Sequence, residues 1–474
     1  MVQLAVTNLT FSYAEEAPPI FADLNFAPAD GTFNLLTGPS GSGKSTLLKL
    51  LAGLYPQYGG VIQSGEVTVD GTAIAALPPY QRAQHVAVLF QNPSRQFAMR
   101  TVIDQLQFAL ANLQLAPAEI DRRITAVLSA LNLTAFTNRA LQSLSGGEQQ
   151  RVALASVLAL GSDLILLDEP FANVDAKGRT QLLADLKNLQ ETQHKTIILA
   201  DHDLSGYAGL VDHVYHVDHA THTLTTPPLT DLPQDTPATP VIGQSLTSGP
   251  LAWADLGLGV DTRQLIRNAH FQIPAGQLGL LSGDNGAGKS TLFSALTQQH
   301  PFTGSITYGA QPVKQFKLRQ WAMRVAEVYQ NSPDQFIRIH LQEELDLSAQ
   351  HSLHPDYWTP ERIKAAVDQL NLTGLEEHVN YALSGGQQKK LQVLSMLIMG
   401  QPVLLLDEPF AGLDAQSLHA VLTLLQQTVQ DLQISALVVS HQRQGVVPFM
   451  AYELHLADEQ LTLIAGEEGT HDQQ

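Results

Sequence analysis

Short, mostly apolar runs alternate along this chain with longer segments whose apolar positions recur every three or four residues. Phe33 to Leu36, Val86 to Phe90, Leu164 to Leu167 and Thr196 to Ala200 have the length and the β-branched or leucine-rich make-up of strands buried on both faces. Leu278 to Leu281 reads the same way. Residues 101 to 133 carry helical spacing, and the apolar regions Val152 to Leu167 and Leu391 to Leu406 each read as a helix running into a buried strand. Residues 3 to 13 and 20 to 37 read as short strands and turns, and Gly65 to Asp70 with Gly71 as a strand and its turn. Strands alternating with helices predict an α/β fold with a largely parallel sheet.

The pattern occurs twice. Gly38-Pro39-Ser40-Gly41-Ser42-Gly43-Lys44-Ser45 and Gly283-Asp284-Asn285-Gly286-Ala287-Gly288-Lys289-Ser290 both match G-x-x-x-x-G-K-[ST]. Each follows a strand-like run and opens a helix-like one (from Thr46 and Thr291), which is the context a phosphate-binding P-loop needs. Its glycines let successive N–H groups turn inward on a phosphate, and the helix N-terminus adds its dipole. Gln330, Leu383-Ser384-Gly385-Gly386, Asp407-Glu408-Pro409 and His441 each lie 239 residues after Gln91, Leu144-Ser145-Gly146-Gly147, Asp168-Glu169-Pro170 and His202. At the P-loop the offset is 245, so the first half carries six extra residues between P-loop and Gln, around Leu54 to Val61. A constant offset over four landmarks is a duplication. The closing hairpins, Val214 to Thr226 and Glu453 to Ala465, align too. The expected domains are residues 1–226 and 251–465, joined by a linker at 227–250 with six prolines and followed by a polar tail at 466–474.

Composition narrows the chemistry. Formal net charge is −19, from 45 acidic against 26 basic residues, and Lys and Arg are absent from 196 to 262. That argues against nucleic acid as a partner, since such surfaces need cations to displace counterions. No cysteine is present, which excludes disulfides and Cys-ligated metal centres. The N-terminus lacks a signal-peptide pattern, and no unbroken apolar run reaches about 18 residues. The expectation is a soluble, cytoplasmic protein that reaches a membrane only through a partner.

Asp168 and Asp407 end apolar strands, where a carboxylate can hold a hydrated Mg²⁺ opposite Ser45 or Ser290. Lys44 and Lys289 reach the β- and γ-phosphates. Glu169 and Glu408 follow directly and can polarise an attacking water. His202 and His441 end the next buried strand, in reach of a γ-phosphate or its water.

Leu-Ser-Gly-Gly, together with Gln91 and Gln330, Asp-Glu-Pro and the late His, resembles the ATP-binding cassette (ABC) ATPases, here duplicated over nearly the whole chain. The resemblance implies two domains, each with a RecA-like core, an antiparallel β subdomain and an α-helical signature subdomain. It implies ATP and Mg²⁺ as ligands, with Gln91 and Gln330 joining the serines and aspartates at the metal. It also implies head-to-tail pairing of the halves. Lys44, Ser45, Gln91, Asp168, Glu169 and His202 would be closed by Ser384-Gly385-Gly386, and Lys289, Ser290, Gln330, Asp407, Glu408 and His441 by Ser145-Gly146-Gly147, with Asp175 and Asp414 at the seam. Tyr13 resembles the adenine-stacking residue. In the second half no tyrosine stands at that place and Trp253 is the nearest aromatic.

The runs Gln91-Asn92-Pro93-Ser94-Arg95-Gln96-Phe97 and Gln330-Asn331-Ser332-Pro333-Asp334-Gln335-Phe336 are similar to those of energy-coupling factor (ECF) transporter ATPases. The second departs in having Ser332 before Pro333. That resemblance implies an importer ATPase for a vitamin or other micronutrient, at the cytoplasmic face of the membrane, partnered by an integral coupling subunit and a small substrate-binding membrane subunit. A tandem sugar-importer ATPase is the alternative. A ribosome-associated ABC-F protein fits less well, because the linker lacks cations.

Overall fold

The computed structural model describes residues 3–464 apart from 40, 91–95, 145, 172–173, 175, 219–220, 234–240, 242–245 and 262. The expectations for Ser40, Gln91, Ser145, Asp175 and the tail therefore lie outside the described residues. The chain divides into two compact units, Met1–Asp235 and Thr236–Gln474.

In the first unit a six-stranded sheet runs Thr223–Thr225, His213–Asp218, Phe33–Thr37, Thr196–Ala200, Leu164–Asp168, Val86–Leu89. Its strands pair in parallel except the edge hairpin of the first two. Phe33–Thr37, Leu164–Asp168 and Thr196–Ala200 are buried along their whole length, which is why they are continuous rather than alternating apolar runs. The helices Lys44–Leu51 and Ala176–Gln193 connect the parallel strands, as such a sheet requires. A second, four-stranded antiparallel sheet is built on Leu4–Ser12. The helices Val102–Ala111, Pro117–Ala130 and Gly146–Leu160 pack together as an α-helical subdomain.

The second unit repeats this plan. Its sheet runs Val325–Val328, Val403–Asp407, Ser435–Val439, Leu278–Ser282, Tyr452–Ala457, Gln460–Ile464, and an antiparallel sheet is built on Leu251–Val260. The mixed α/β class with two repeated sheet-containing halves is thus as the sequence predicts. One element differs. The expected strand at Gly65 begins earlier, as Val61–Val69. Gly65 does not start it but marks a bulge: its φ is +75°, and a Cβ there would fall 2.3 Å from the carbonyl oxygens of Thr7 and Asn8. Leu232 is buried in the first unit's core and Val241 in the second's.

Candidate nucleotide site

Parallel strands deliver their carboxyl ends to one edge of the sheet, where ligands of such sheets bind. In the first unit Phe33–Thr37 turns there into the glycine-rich loop, which ends at Gly43 (φ 107°) capping the helix Lys44–Leu51. Gly38 (φ 138°) leaves no room for a side chain, since a Cβ would stand 2.8 Å from the Val217 carbonyl. Lys44, buried, arches back to donate its ammonium to the carbonyls of Gly38 (2.7 Å) and Pro39 (3.0 Å). Ser45 donates its hydroxyl to Asp168 Oδ1 at 2.9 Å. Lys289 binds the carbonyls of Gly283 and Asp284 at the same two distances, and Ser290 reaches Asp407 Oδ2 at 2.7 Å.

The next residue in each half is strained. Glu169 and Glu408 both have φ near 48°, a left-handed conformation uncommon outside glycine, and their N–H groups donate to Ala200 and Val439 on the neighbouring strand. That bond sets each glutamate beside the histidine two residues further on. His202 Nδ1 lies 3.7 Å from Glu169 Oε1, and His441 Nε2 lies 3.5 Å from Glu408 Oε1. The structure therefore brings Lys44, Ser45, Asp168, Glu169 and His202 to one sheet edge, and Lys289, Ser290, Asp407, Glu408 and His441 to the other. A hydroxyl and a carboxylate oxygen at hydrogen-bond distance, beside the glycine-rich loop, are the hard oxygen donors that suit a Mg²⁺ retaining several waters.

Electrostatics differ between the halves. Burial, then the adjacent Glu169, pushes Asp168 up to about 6. Burial opposes charge on His202, but Glu169, Asp201 and Asp203 outweigh it and hold the imidazole up to about 8. Behind it Asp201 accepts from the N–H groups of His202 and Asp203, from Tyr207 Oη (2.7 Å) and from Arg179 (3.1 Å). The corresponding residues of the second half are Ser440, Val446 and Leu418, so that network is missing there. Instead, burial and then Asp407 push Glu408 up to about 8.

Two features escape the sequence reading, and a third, Ser332, is marked there only as a departure from the loop pattern. Glu327, where the first half has Val88, is held up to about 7 by burial and by Asp407, and accepts from the Thr297 hydroxyl. Lys389, buried in the signature helix Gly385–Met399, donates to the Gln330 carbonyl at 2.6 Å, and its ammonium is pushed down to about 8 by burial against the pull of Glu408 and Asp407. Ser332 binds Gln392 of the same helix at 2.7 Å. Each is a departure of one half from the other at the constant offset, which is the signal that marks them.

The signature turns head helices. Ser384 caps Gly385–Met399 in a reciprocal pair with Gln387, and Asp414 caps Ala415–Asp431 through Ser417 N. Tyr13 is half exposed beside the P-loop helix, its hydroxyl 2.5 Å from that of Thr46. The insertion supplies Tyr55, which stacks on Phe11 and meets Tyr13 edge-on. In the second half Phe11↔Phe21 corresponds to Leu258↔Ile266, which puts Val260 in Tyr13's register. Trp253 is buried against Phe271, away from solvent.

A family model described as ABC transporter matches residues 21–172 and again 266–411. A Bacillus subtilis (strain 168) protein bearing the name "Putative HMP/thiamine import ATP-binding protein YkoD" is 30% identical over 96% of this chain and 90% of its own length. A Treponema denticola (strain ATCC 35405) protein, "Putative ABC transporter ATP-binding protein", is 28% identical over 92% of each. Among solved structures, one titled "RNase-L Inhibitor" superposes with a TM-score of 0.65 over 98% of this chain and 91% of that one, at 20% identity, a likeness of fold.

Proposed function

As the chain belongs to the ABC transporter family and is a tandem ABC ATPase, we propose that it is the ATP-hydrolysing energy-coupling subunit of an ECF-type importer for a vitamin or other micronutrient. The observation that carries the ATPase half of this reading is the duplicated set of lysine, serine, aspartate, glutamate and histidine at the two sheet edges, with no member lost. Lys44 and Lys289, with the loop N–H groups, hold the phosphates of ATP. Ser45 with Asp168, and Ser290 with Asp407, hold Mg²⁺, which when bound neutralises phosphate charge. Glu169 and Glu408 orient the attacking water, and His202 and His441 bind the γ-phosphate side of it. Tyr13 stacks on the adenine of the first nucleotide. The Ser-Gly-Gly turn of each half serves the γ-phosphate held by the other.

The importer half draws support from the import-protein name of the Bacillus relative and from the surface beside the Gln330 loop. Ile337 (76% exposed), Ile339 (58%) and Tyr381 (54%) are exposed on neighbouring segments, which Asn380 N joins by donating to the Ile339 carbonyl. At the matching places the first half has Ala98, Arg100 and Gln142. Large apolar side chains held in water suit a partner's helix better than solvent. No helix among the described residues is long and apolar enough to cross a membrane; the partners in this reading are an integral coupling subunit and a small substrate-binding one, at the cytoplasmic face.

Affinity purification from detergent-solubilised membranes tests this. The tagged chain is expected to bring down two integral membrane proteins, and Ile337→Ser with Ile339→Ser to reduce their recovery at least threefold, a loss on the scale of about 1 kcal/mol. Recovery with ribosomes and without membrane proteins would refute the importer reading.

A further inference from the structure

The Gln330 loop of the second half is fastened to the signature helix by three side chains that the first half does not carry at the matching positions. Lys389 is 6% exposed and gives its ammonium to the Gln330 carbonyl at 2.6 Å and the Tyr329 carbonyl at 3.4 Å. Gln392, fully buried one turn on, donates to the Tyr329 carbonyl (2.9 Å) and to Gln335 Oε1 (2.7 Å), and accepts from the Ser332 hydroxyl (2.7 Å). Gln335 in turn holds Tyr329 N and the Glu327 carbonyl at the strand end. That last pair is common to both halves, for Gln96 binds Phe90 N and the Val88 carbonyl. The helical contribution is not: Lys389, Gln392 and Ser332 correspond to Gln150, Ala153 and Pro93.

A buried ammonium is costly unless its hydrogen bonds are made, and here two backbone carbonyls of one loop make them. Neither carbonyl belongs to a regular ladder, so the lysine fixes the path of the loop rather than a side chain's rotamer. The same helix begins at Ser384-Gly385-Gly386, one turn before Lys389. Loop and signature turn are therefore ends of one rigid connection, since a helix transmits displacement along its axis without bending appreciably over one or two turns.

We propose that Lys389, with Gln392 and Ser332, is a positioning latch that sets the Gln330 loop against the signature helix in the second half alone, so that the loop and the Ser384-Gly385-Gly386 turn move together. This rests on the roles given above to those two segments. The latch acts through Gln330 and the signature turn and touches no nucleotide itself.

The test uses the purified full chain and steady-state MgATP hydrolysis, with hydrogen exchange as the second measurement. Lys389→Met is expected to lower kcat about tenfold with KM for ATP changed less than about twofold, the pattern of a group that positions without binding substrate. Lys389→Arg, which keeps the charge and the donors, is expected to retain at least about half of wild-type kcat. Gln392→Ala, which copies the first half, is expected to lower kcat less, and the double variant to be no worse than Lys389→Met, because both residues hold one loop. Amides of 329–336 and 385–388 are expected to exchange faster together in Lys389→Met. A normal kcat in Lys389→Met, equal failure of the arginine and methionine variants, or faster exchange in the loop without the helix start would overturn the latch. If Lys389→Met does not fold, Gln392→Ala carries the same exchange test. A wild-type chain without MgATP hydrolysis would instead refute the reading on which the latch rests.

Discussion

Two side chains decide how far the halves differ at the scale of single residues. His202 is a largely shielded imidazole faced by three carboxylates, those of Glu169, Asp201 and Asp203, and it is held up to about 8 although burial works against its charge. Since the folded value lies above the ordinary 6.5, the charged form stabilises the fold. That contribution is complete below pH 6.5 and disappears as pH rises through about 8; for a shift of this size it is of the order of 2 kcal/mol. An NMR titration of the His202 ring should give a midpoint near 8 in the metal-free protein. Glu169→Gln should bring the midpoint down towards the ordinary range and flatten the fall in unfolding midpoint over the same pH window. A midpoint of 6.5 or below in the wild type would contradict the geometry. His441 stands beside Glu408 but has Ser440 and Gln442 where His202 has Asp201 and Asp203, so those two carboxylates have no counterpart there.

At the scale of elements, the six-residue insertion is not a decoration of a surface loop. Tyr55 from that segment packs on Phe11 and Tyr13, the strand end that borders the P-loop helix, and the second half lacks both the insertion and a tyrosine in that register. Aromatic pairs of this kind contribute about 0.5–1.5 kcal/mol beyond their burial. Tyr55→Ala is therefore expected to weaken ATP binding at the first P-loop by roughly twofold to tenfold. Titration of ATP into a chain whose second P-loop carries Lys289→Ala would measure it, and an unchanged affinity would show that the insertion does not brace Tyr13. Elements of this kind also show what was legible. The strand, glycine loop and helix, the Asp-Glu ends of buried strands and the duplicate spacing are local patterns, each set by a few neighbouring residues, and they appear where the sequence places them. The partner of Tyr13 in the second half was not legible, because bulges shift the pairing of Leu251–Val260 between Trp253 and Gly259. The latch was not legible either, since Lys389 and Gln330 are 59 residues apart and meet only through the packing of helix on loop.

For the molecule as a whole, a duplicated ATPase need not work symmetrically, and the charges around the two glutamates set the direction of the difference. Each glutamate must be ionised to polarise water. In the first half the neighbouring imidazole is held in its charged form at neutral pH, and a cation beside a carboxylate favours ionisation. In the second half burial and the adjacent Asp407 push Glu408 up to about 8, with Lys289 and Lys389 only partly opposing them, and Glu327 adds another carboxylate behind Asp407. At pH 7 the first half should then carry most of the turnover, with Glu169→Gln removing more of it than Glu408→Gln. Because the raised value disfavours the ionised form of Glu408 below about 8, the fraction of turnover lost in Glu408→Gln should grow as pH rises from 7 to 8.5. Steady-state hydrolysis by the two variants across that range measures the difference directly, and equal losses at every pH would show that the two glutamates are ionised alike once nucleotide is bound.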